Sequence, residues 1–182
     1  PIENVGIFTN NGTLKIGGGN FNNNTVGTLT NEGTINIIGT LFNAGSLTNN
    51  GIITFPNNFG TRTISNNGGT IDNYGTIDII NFGQIINFTT INNFGTINNG
   101  FRITNKCGAT FNGAVTGNPV VFEPCDTDGD GIVDALDSCP TVSAIVDGVS
   151  RDANNDGCID TAEELLEEIN SSDLPEGTKN SL

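Results

Sequence analysis

The stretch DTDGDGIVDALDSCP, Asp126 to Pro140, places five aspartates within twelve residues and no Lys or Arg among them. Bare carboxylates at that density repel one another, so their grouping asks for a counter-ion. Counted from Asp126 as position 1, Asp128 stands at 3, Asp130 at 5, Ile132 at 7, Asp134 at 9 and Asp137 at 12. Gly131 at position 6 permits a sharp turn, and Ile132 can offer its backbone carbonyl. Spaced hard oxygens around a glycine turn suit Ca2+, which takes six to eight oxygen ligands.

The same frame recurs downstream. Asp152 is position 1, Asn154 is 3, Asp156 is 5, Gly157 is 6, Cys158 is 7, Asp160 is 9 and Glu163 is 12. Both runs carry the ligand positions of an EF-hand-type loop. The second ends in a Glu able to bind through both oxygens; Asp137, closing the first, has a shorter reach. TAEELLEEI then predicts one short helix, with Thr161 as N-cap, Glu163 and Glu164 at its positive end, and Leu165, Leu166 and Ile169 as an apolar stripe. The cofactors implied are two or more calcium ions.

Four cysteines, Cys107, Cys125, Cys139 and Cys158, stand 18, 14 and 19 residues apart. An even count at such spacing fits two disulfides and an oxidising compartment, with three pairings open.

The first loop and its ending, Asp137-Ser138-Cys139-Pro140, resemble the thrombospondin type 3 repeat. The second resembles a related EF-hand or dockerin-like loop, and together they cover about residues 125–164. The resemblance implies that calcium orders a chain with little core of its own, and that cysteines bridge successive repeats. Carried onto this sequence it implies Cys139–Cys158. Cys107–Cys125 would then join the end of the preceding region to the start of the calcium module. That family strings many loops together, whereas two are present here, which implies a compact terminal module rather than a long stalk.

The elements that must position these loops lie upstream, and they differ in charge. The formal net charge is −14, and all of it falls in residues 123–182, where sixteen acids face only Arg151 and Lys179. In residues 1–122, Glu3, Glu32, Asp72 and Asp78 are balanced by Lys15, Arg62, Arg102 and Lys106. An acidic region does not suit nucleic acid, whose phosphates need Lys and Arg. No apolar run is long enough to span a membrane. The chain starts at Pro1 without a visible signal peptide, as a processed N-terminus or a fragment of a longer precursor would.

The neutral region is a repeat. NNGTLKI, NEGTINI, NYGTIDI and NFGTINN share the unit Asn-x-Gly-Thr-Ile/Leu. Gly33, Gly39, Gly45 and Gly51 are six apart, and Gly12, Gly33, Gly51, Gly75 and Gly95 recur at steps of 21, 18, 24 and 20. Thr-Ile is a short β-prone piece with one apolar side chain to bury, and Asn-x-Gly is turn chemistry. Short strands and tight turns at these steps predict a mainly β protein built on a parallel β-helix, a solenoid of about five coils from Gly12 to Gly113. Steps near twenty favour a right-handed helix over a strict hexapeptide left-handed one. Asn side chains at equivalent turns can stack in ladders. Low-complexity disorder and a β-sandwich are the competing readings. The regular Ile and Leu positions, and Phe59, Phe82 and Phe94 just before glycines, favour the solenoid.

The expected organisation is an extended N-terminal segment (1–9) able to donate a strand, the solenoid (10–117), a linker (118–124), a small C-terminal calcium-binding module with one short helix (125–170) and a tail (171–182). No catalytic residue stands out. There is no His, and the only close acid pair in the solenoid, Asp72 and Asp78, is one repeat unit apart and so on different faces. A polysaccharide-degrading enzyme would need a carboxylate or basic cluster on one face.

The Asn/Gly repeat resembles repeat proteins of prokaryotic cell surfaces, which implies a secreted, often glycosylated chain. Sequons occur at Asn11, Asn23, Asn87 and Asn170, with Asn11 and Asn87 beside turns and better placed for modification. The function expected is that of an extracellular structural protein, a subunit of a filament, sheath or surface layer. Copies of itself are its expected partners, joined head to tail by strand addition. The alternative is an adhesin or carbohydrate-binding solenoid, with cell-surface glycans as partners and a row of exposed aromatics, such as Tyr74, along one face.

Overall fold

The computed structural model describes residues 1–56, 60, 62–80, 82–146 and 148–161. The chain divides into two compact units, Pro1–Glu123 and Pro124–Leu182.

In the first unit each repeat becomes a strand of about four residues whose second and fourth side chains point inward. TLTN, TINI and TIDN all alternate half-buried with buried residues in that order, the period of two that a pleated strand imposes. Three strands close a coil. The first coil is β1 (Ile2–Asn4), β2 (Ile7–Asn10) and β3 (Thr13–Ile16). The second is β4 (Asn20–Asn23), β5 (Thr28–Asn31) and β6 (Thr34–Ile37), and the third β7 (Thr40–Asn43), β8 (Ser46–Asn49) and β9 (Ile52–Thr54). The fourth is β10 (Arg62–Asn66), β11 (Thr70–Asn73) and β12 (Thr76–Ile79), and the fifth β13 (Gly83–Asn87), β14 (Thr90–Asn93) and β15 (Thr96–Asn99). The sixth is β16 (Arg102–Asn105), β17 (Thr110–Asn112) and β18 (Thr116–Gly117), after which β19 (Val120–Phe122) adds one more strand.

Every strand pairs in parallel with its equivalent one coil away. The result is a parallel β-solenoid of about six turns with three sheets. Sheet A has seven strands from β1 to β19, and sheets B and C have six each. The core is a set of apolar columns, among them Phe21–Leu41–Ile64–Ile85–Ile103 in sheet A, all fully buried. Burial of side chains this size is worth roughly 1.5–3 kcal/mol each.

The corners are polar inside. At the end of sheet A, the Asn4 Nδ2 donates to Asn23 Oδ1, and the chain of amides continues through Asn43, Asn66, Asn87 and Asn105 at 2.6–2.8 Å. At the end of sheet B, Asn10, Asn31, Asn49, Asn73 and Asn93 form a second ladder at 2.7 Å. The second amide hydrogen is used as well. Asn49, for example, also donates to the Thr76 carbonyl at 3.1 Å. The third corner is lined mainly by Ile16, Ile37, Phe55 and Ile79, all buried.

Corner glycines are set by the coil above. A Cβ on Gly33, Gly51, Gly75 or Gly95 would collide with the carbonyl oxygen of the glycine one coil earlier. The steps of 21, 18, 24 and 20 are therefore successive turns past one corner, and the shorter step of six moves to the next corner.

The structure corrects two boundaries. Residues 1–9, set apart as an extended segment, form β1 and most of β2 and pair with β4 and β5. Residues 118–124, expected as a linker, contain β19, paired to β16. The physical reason is the same in both places: a sequence lacking a complete Asn-x-Gly-Thr unit still joins the sheet when its alternation matches the neighbouring strand. Of the short helix expected after the second loop, all but Thr161 lies outside the described residues, as does the tail.

Two substitutions separate steric from polar support. Gly51→Ala, against backbone, is expected to cost about 1–3 kcal/mol. Gly12→Ala, with no atom within 4 Å of the new Cβ, should stay within about 0.5 kcal/mol. Urea unfolding of both variants checks the contrast. In the same assay, Asn49→Ala is expected to lose at least about 2 kcal/mol, because it strands the Asn31 donor and the Asn73 acceptor inside the coil.

Candidate metal centre

Among its described residues, the second unit is organised by short side-chain-to-backbone bonds rather than by a large core. In the first loop, Asp126 accepts from the backbone N–H of Gly129 at 2.8 Å and of Gly131 at 3.1 Å. Asp128 accepts from the Asp130 N–H and Asp130 from the Ile132 N–H. Asp134 closes the loop by accepting from the Thr127 N–H and hydroxyl, both at 2.7 Å.

The second loop repeats most of that frame. Asp152 accepts from the Gly157 N–H, Asp156 from the Cys158 N–H and Asp160 from the Ala153 N–H. The backbone N–H at position 9 reaches the carbonyl just before position 1 in both, Asp134 to Cys125 and Asp160 to Arg151. Positions 4 and 6 take positive φ in both, at Gly129 and Gly131 (77° and 97°) and at Asn155 and Gly157 (57° and 85°). Glycine and asparagine are the residues that tolerate that region. Between the loops lies an antiparallel hairpin of β20 (Ile145–Val146) and β21 (Val149–Ser150), turned through Gly148.

The loops are tied together. Cys139 and Cys158 form a disulfide across a sequence separation of 19, with Cα atoms 5.1 Å apart. Cys107 and Cys125 are also disulfide-bonded, and no cysteine is free. The Ser138 N–H donates to the Asp156 carbonyl at 2.7 Å. Asp137 lies directly against Gly157, where any Cβ would strike its carboxylate.

Oxygens of Asp126, Asp128 and Asp130 lie within 4.8 Å of one another. Desolvation raises the pKa of Asp128 from its ordinary value; the Asp130 N–H opposes the shift, and the charges of Asp130, Asp137 and Asp126 add to it. Asp137 is 8 % exposed. Asp128 Oδ2 and Asp137 Oδ2 are both buried with no hydrogen-bond partner. Two orphaned anionic oxygens among further carboxylates fit a hard cation. Of the other expected ligands, Asp134 is engaged with Thr127, and Asp152, Asn154 and Asp156 form the matching half of the second loop. Glu163 lies outside the described residues.

Sequence reasoning missed Thr127, which holds Asp134, and Ala144, 2 % exposed, whose N–H donates to Asp130 Oδ2 at 3.3 Å. Thr127 offers a hydroxyl at position 2, whereas Ala153 at the equivalent position offers only its N–H. Nothing local marks Ala144.

Two sequons are corrected. Asn23 and Asn87 are ladder residues, 1 % and 0 % exposed, and their Nδ2 atoms donate to Asn43 and Asn105. Their amides cannot carry a glycan in the folded coil. Asn11 is exposed at a corner, and Asn170 lies outside the described residues. Asp72 and Asp78 fall on sheets B and C, where each accepts an amide hydrogen from the next coil, from Asn92 and Asn98. Comparison with protein families, curated proteins and solved structures gives no match.

Replacing Cys139 and Cys158 together by Ser in the full chain is expected to cost about 3 kcal/mol, the loop-closure value for a loop of this length. Limited proteolysis should then cut within residues 125–161 while the solenoid stays intact.

Proposed function

We propose that the protein is a secreted structural protein, a subunit of an extracellular filament, sheath or surface layer, with its carboxy-terminal loops held by calcium and disulfides. The observation that carries this reading is the outer edge of the first coil. Among the described residues, β1, β2 and β3 each have a strand neighbour on one side only. Ile2, inward-facing, is 50 % exposed, whereas its partner Phe21 one coil on is fully buried. Val5 and Ile7 are more exposed still. The ladders change here too. Asn4 and Asn10 Oδ1 accept only from the Gly6 and Gly12 N–H groups of their own turns, at 3.3 Å. A coil edge with apolar flanks is a template for strand addition, by a further coil of the same chain or by another copy, and we assign it to another copy. A contact of that kind between unlike surfaces of successive copies does not close, and so grows a head-to-tail polymer.

Complete use of the cysteines in disulfides supports an oxidising, extracellular setting. No helix of the described residues is long and apolar enough to cross a membrane. The adhesin reading draws less support, because the exposed rings are divided among three corners: the stacked Tyr74–Phe94 pair, the Phe82–Phe101 pair, and Phe88 beside Lys106.

For calcium, Asp126, Asp128, Asp130 and Asp137 would hold an ion in the first loop. Asp152, Asn154 and Asp156, with Asp160 and Glu163, would serve the second. The ion would neutralise carboxylates that otherwise repel. The backbone bonds already described orient those carboxylates without consuming all their lone pairs.

Negative-stain microscopy in calcium is expected to show long uniform fibres, and Glu3→Pro in β1 should abolish them by spoiling the edge. Dispersed wild-type particles would refute assembly. Calorimetric titration of the wild type with calcium should give binding at about 10⁻⁴–10⁻³ M. Paired Asp128→Asn and Asp130→Asn substitutions should weaken it at least tenfold, and a wild-type chain that takes up no calcium would end the metal reading.

A further inference from the structure

Arg62, the first residue of β10, is fully buried. Alternation along that strand points it inward with Ile64 and Asn66. Its Nε and both terminal guanidinium nitrogens have no hydrogen-bond partner. A guanidinium is permanently cationic, and a buried charge left unpaired is among the most costly features a fold can carry.

The solenoid offers no carboxylate to pair with it. Residues 1–122 contain four acids, Glu3, Glu32, Asp72 and Asp78. All four accept amide hydrogens from Asn side chains of the next coil on the outer surface. Glu123 pairs with Lys106 at 2.6 Å. Inward-facing neighbours of Arg62 are neutral. It stands in register with Gly83, on which the buried Phe55 ring closes so tightly that a Cβ would come within 2.6 Å. On the other side, one residue before the Thr40–Thr63 pair, it faces Gly39. The column thus contributes one large side chain between two glycines.

We propose that Arg62 is the cationic ligand of a buried binding site for a small monovalent inorganic anion of the halide class, held between the third and fifth coils. One positive charge without a second base calls for one negative charge. A divalent anion would only exchange an uncompensated cation for an uncompensated anion. The anion completes the core of the fourth coil, so the solenoid's stability depends on halide rather than on ionic strength alone.

Crystals of the wild-type protein grown in sodium bromide test this directly. An anomalous bromine peak within hydrogen-bond reach of the Arg62 guanidinium is expected. A map with no peak there, or with peaks only at the outer surface, overturns the site. In solution, replacing chloride by gluconate at constant ionic strength should lower the wild-type Tm by several degrees. Arg62→Met should abolish that dependence, and equal dependence in both proteins refutes the proposal. If the variant does not fold, the wild-type bromide map decides.

Discussion

A buried carboxamide is costly unless its hydrogens and its oxygen are matched, and in the two ladders of this solenoid the matching group is the same carboxamide one coil away; Asn99, outside the ladders, keeps a buried Oδ1 without a partner. That constraint shapes the first unit. Asn73 gives one hydrogen to Asn93 and another to the Thr96 carbonyl, while its oxygen takes a hydrogen from Asn49. Such a group is neutral and directional, and it is satisfied only in register. A one-residue slip would turn Ile71 outward and strand every amide in the ladder, so two independent penalties fix the same alignment. An Asn-rich region of zero net charge can therefore fold into one structure.

Given that register, the rest of the coil has little freedom. Glycine is required where one corner rests on the carbonyl of the corner below. Much of the length variation falls at the corners, as with the longer passage between β4 and β5. The outer surface carries a weaker copy of the same device. Acids on the outside are bound by amides from the next coil, as Glu32 at a corner is by Asn50 and Asp72 on sheet B by Asn92. The carboxy-terminal unit obeys a different rule. Its carboxylates bind the backbone of their own loop, and the two loops are joined by a disulfide and a two-stranded hairpin. Among its described residues the buried apolar side chain is Ala144, and the Cys139–Cys158 disulfide ties the loops where a larger core would.

Much of this was legible in the chain. The glycine steps marked one corner of the coil. The Asn preceding two of the three corners marked the ladders, and the aspartate spacing marked two loops of similar hydrogen-bond frame. The misreadings share a cause. Asn23 and Asn87 sit in sequons, and their local sequence resembles that of exposed Asn11, yet they end inward-facing strands. Pro1 to Thr9 lacks the full repeat unit but satisfies the alternation of β4 and β5. Arg62 looks like one of four scattered bases, and only its place in the strand turns it toward the core.

The sequence by itself determined the period, the strand and corner alphabet, the separation of a neutral region from an acidic one, and the positions of the aspartate loops, because each of these depends on residues near one another in the chain. Tertiary structure alone decided which Asn are inside, which carboxylate oxygens are left without donors, that Asp137 meets Gly157 of the other loop, and that a cation is enclosed at Arg62. Those outcomes depend on what lies one coil, or one loop, away, and burial is a property of that neighbour rather than of the residue.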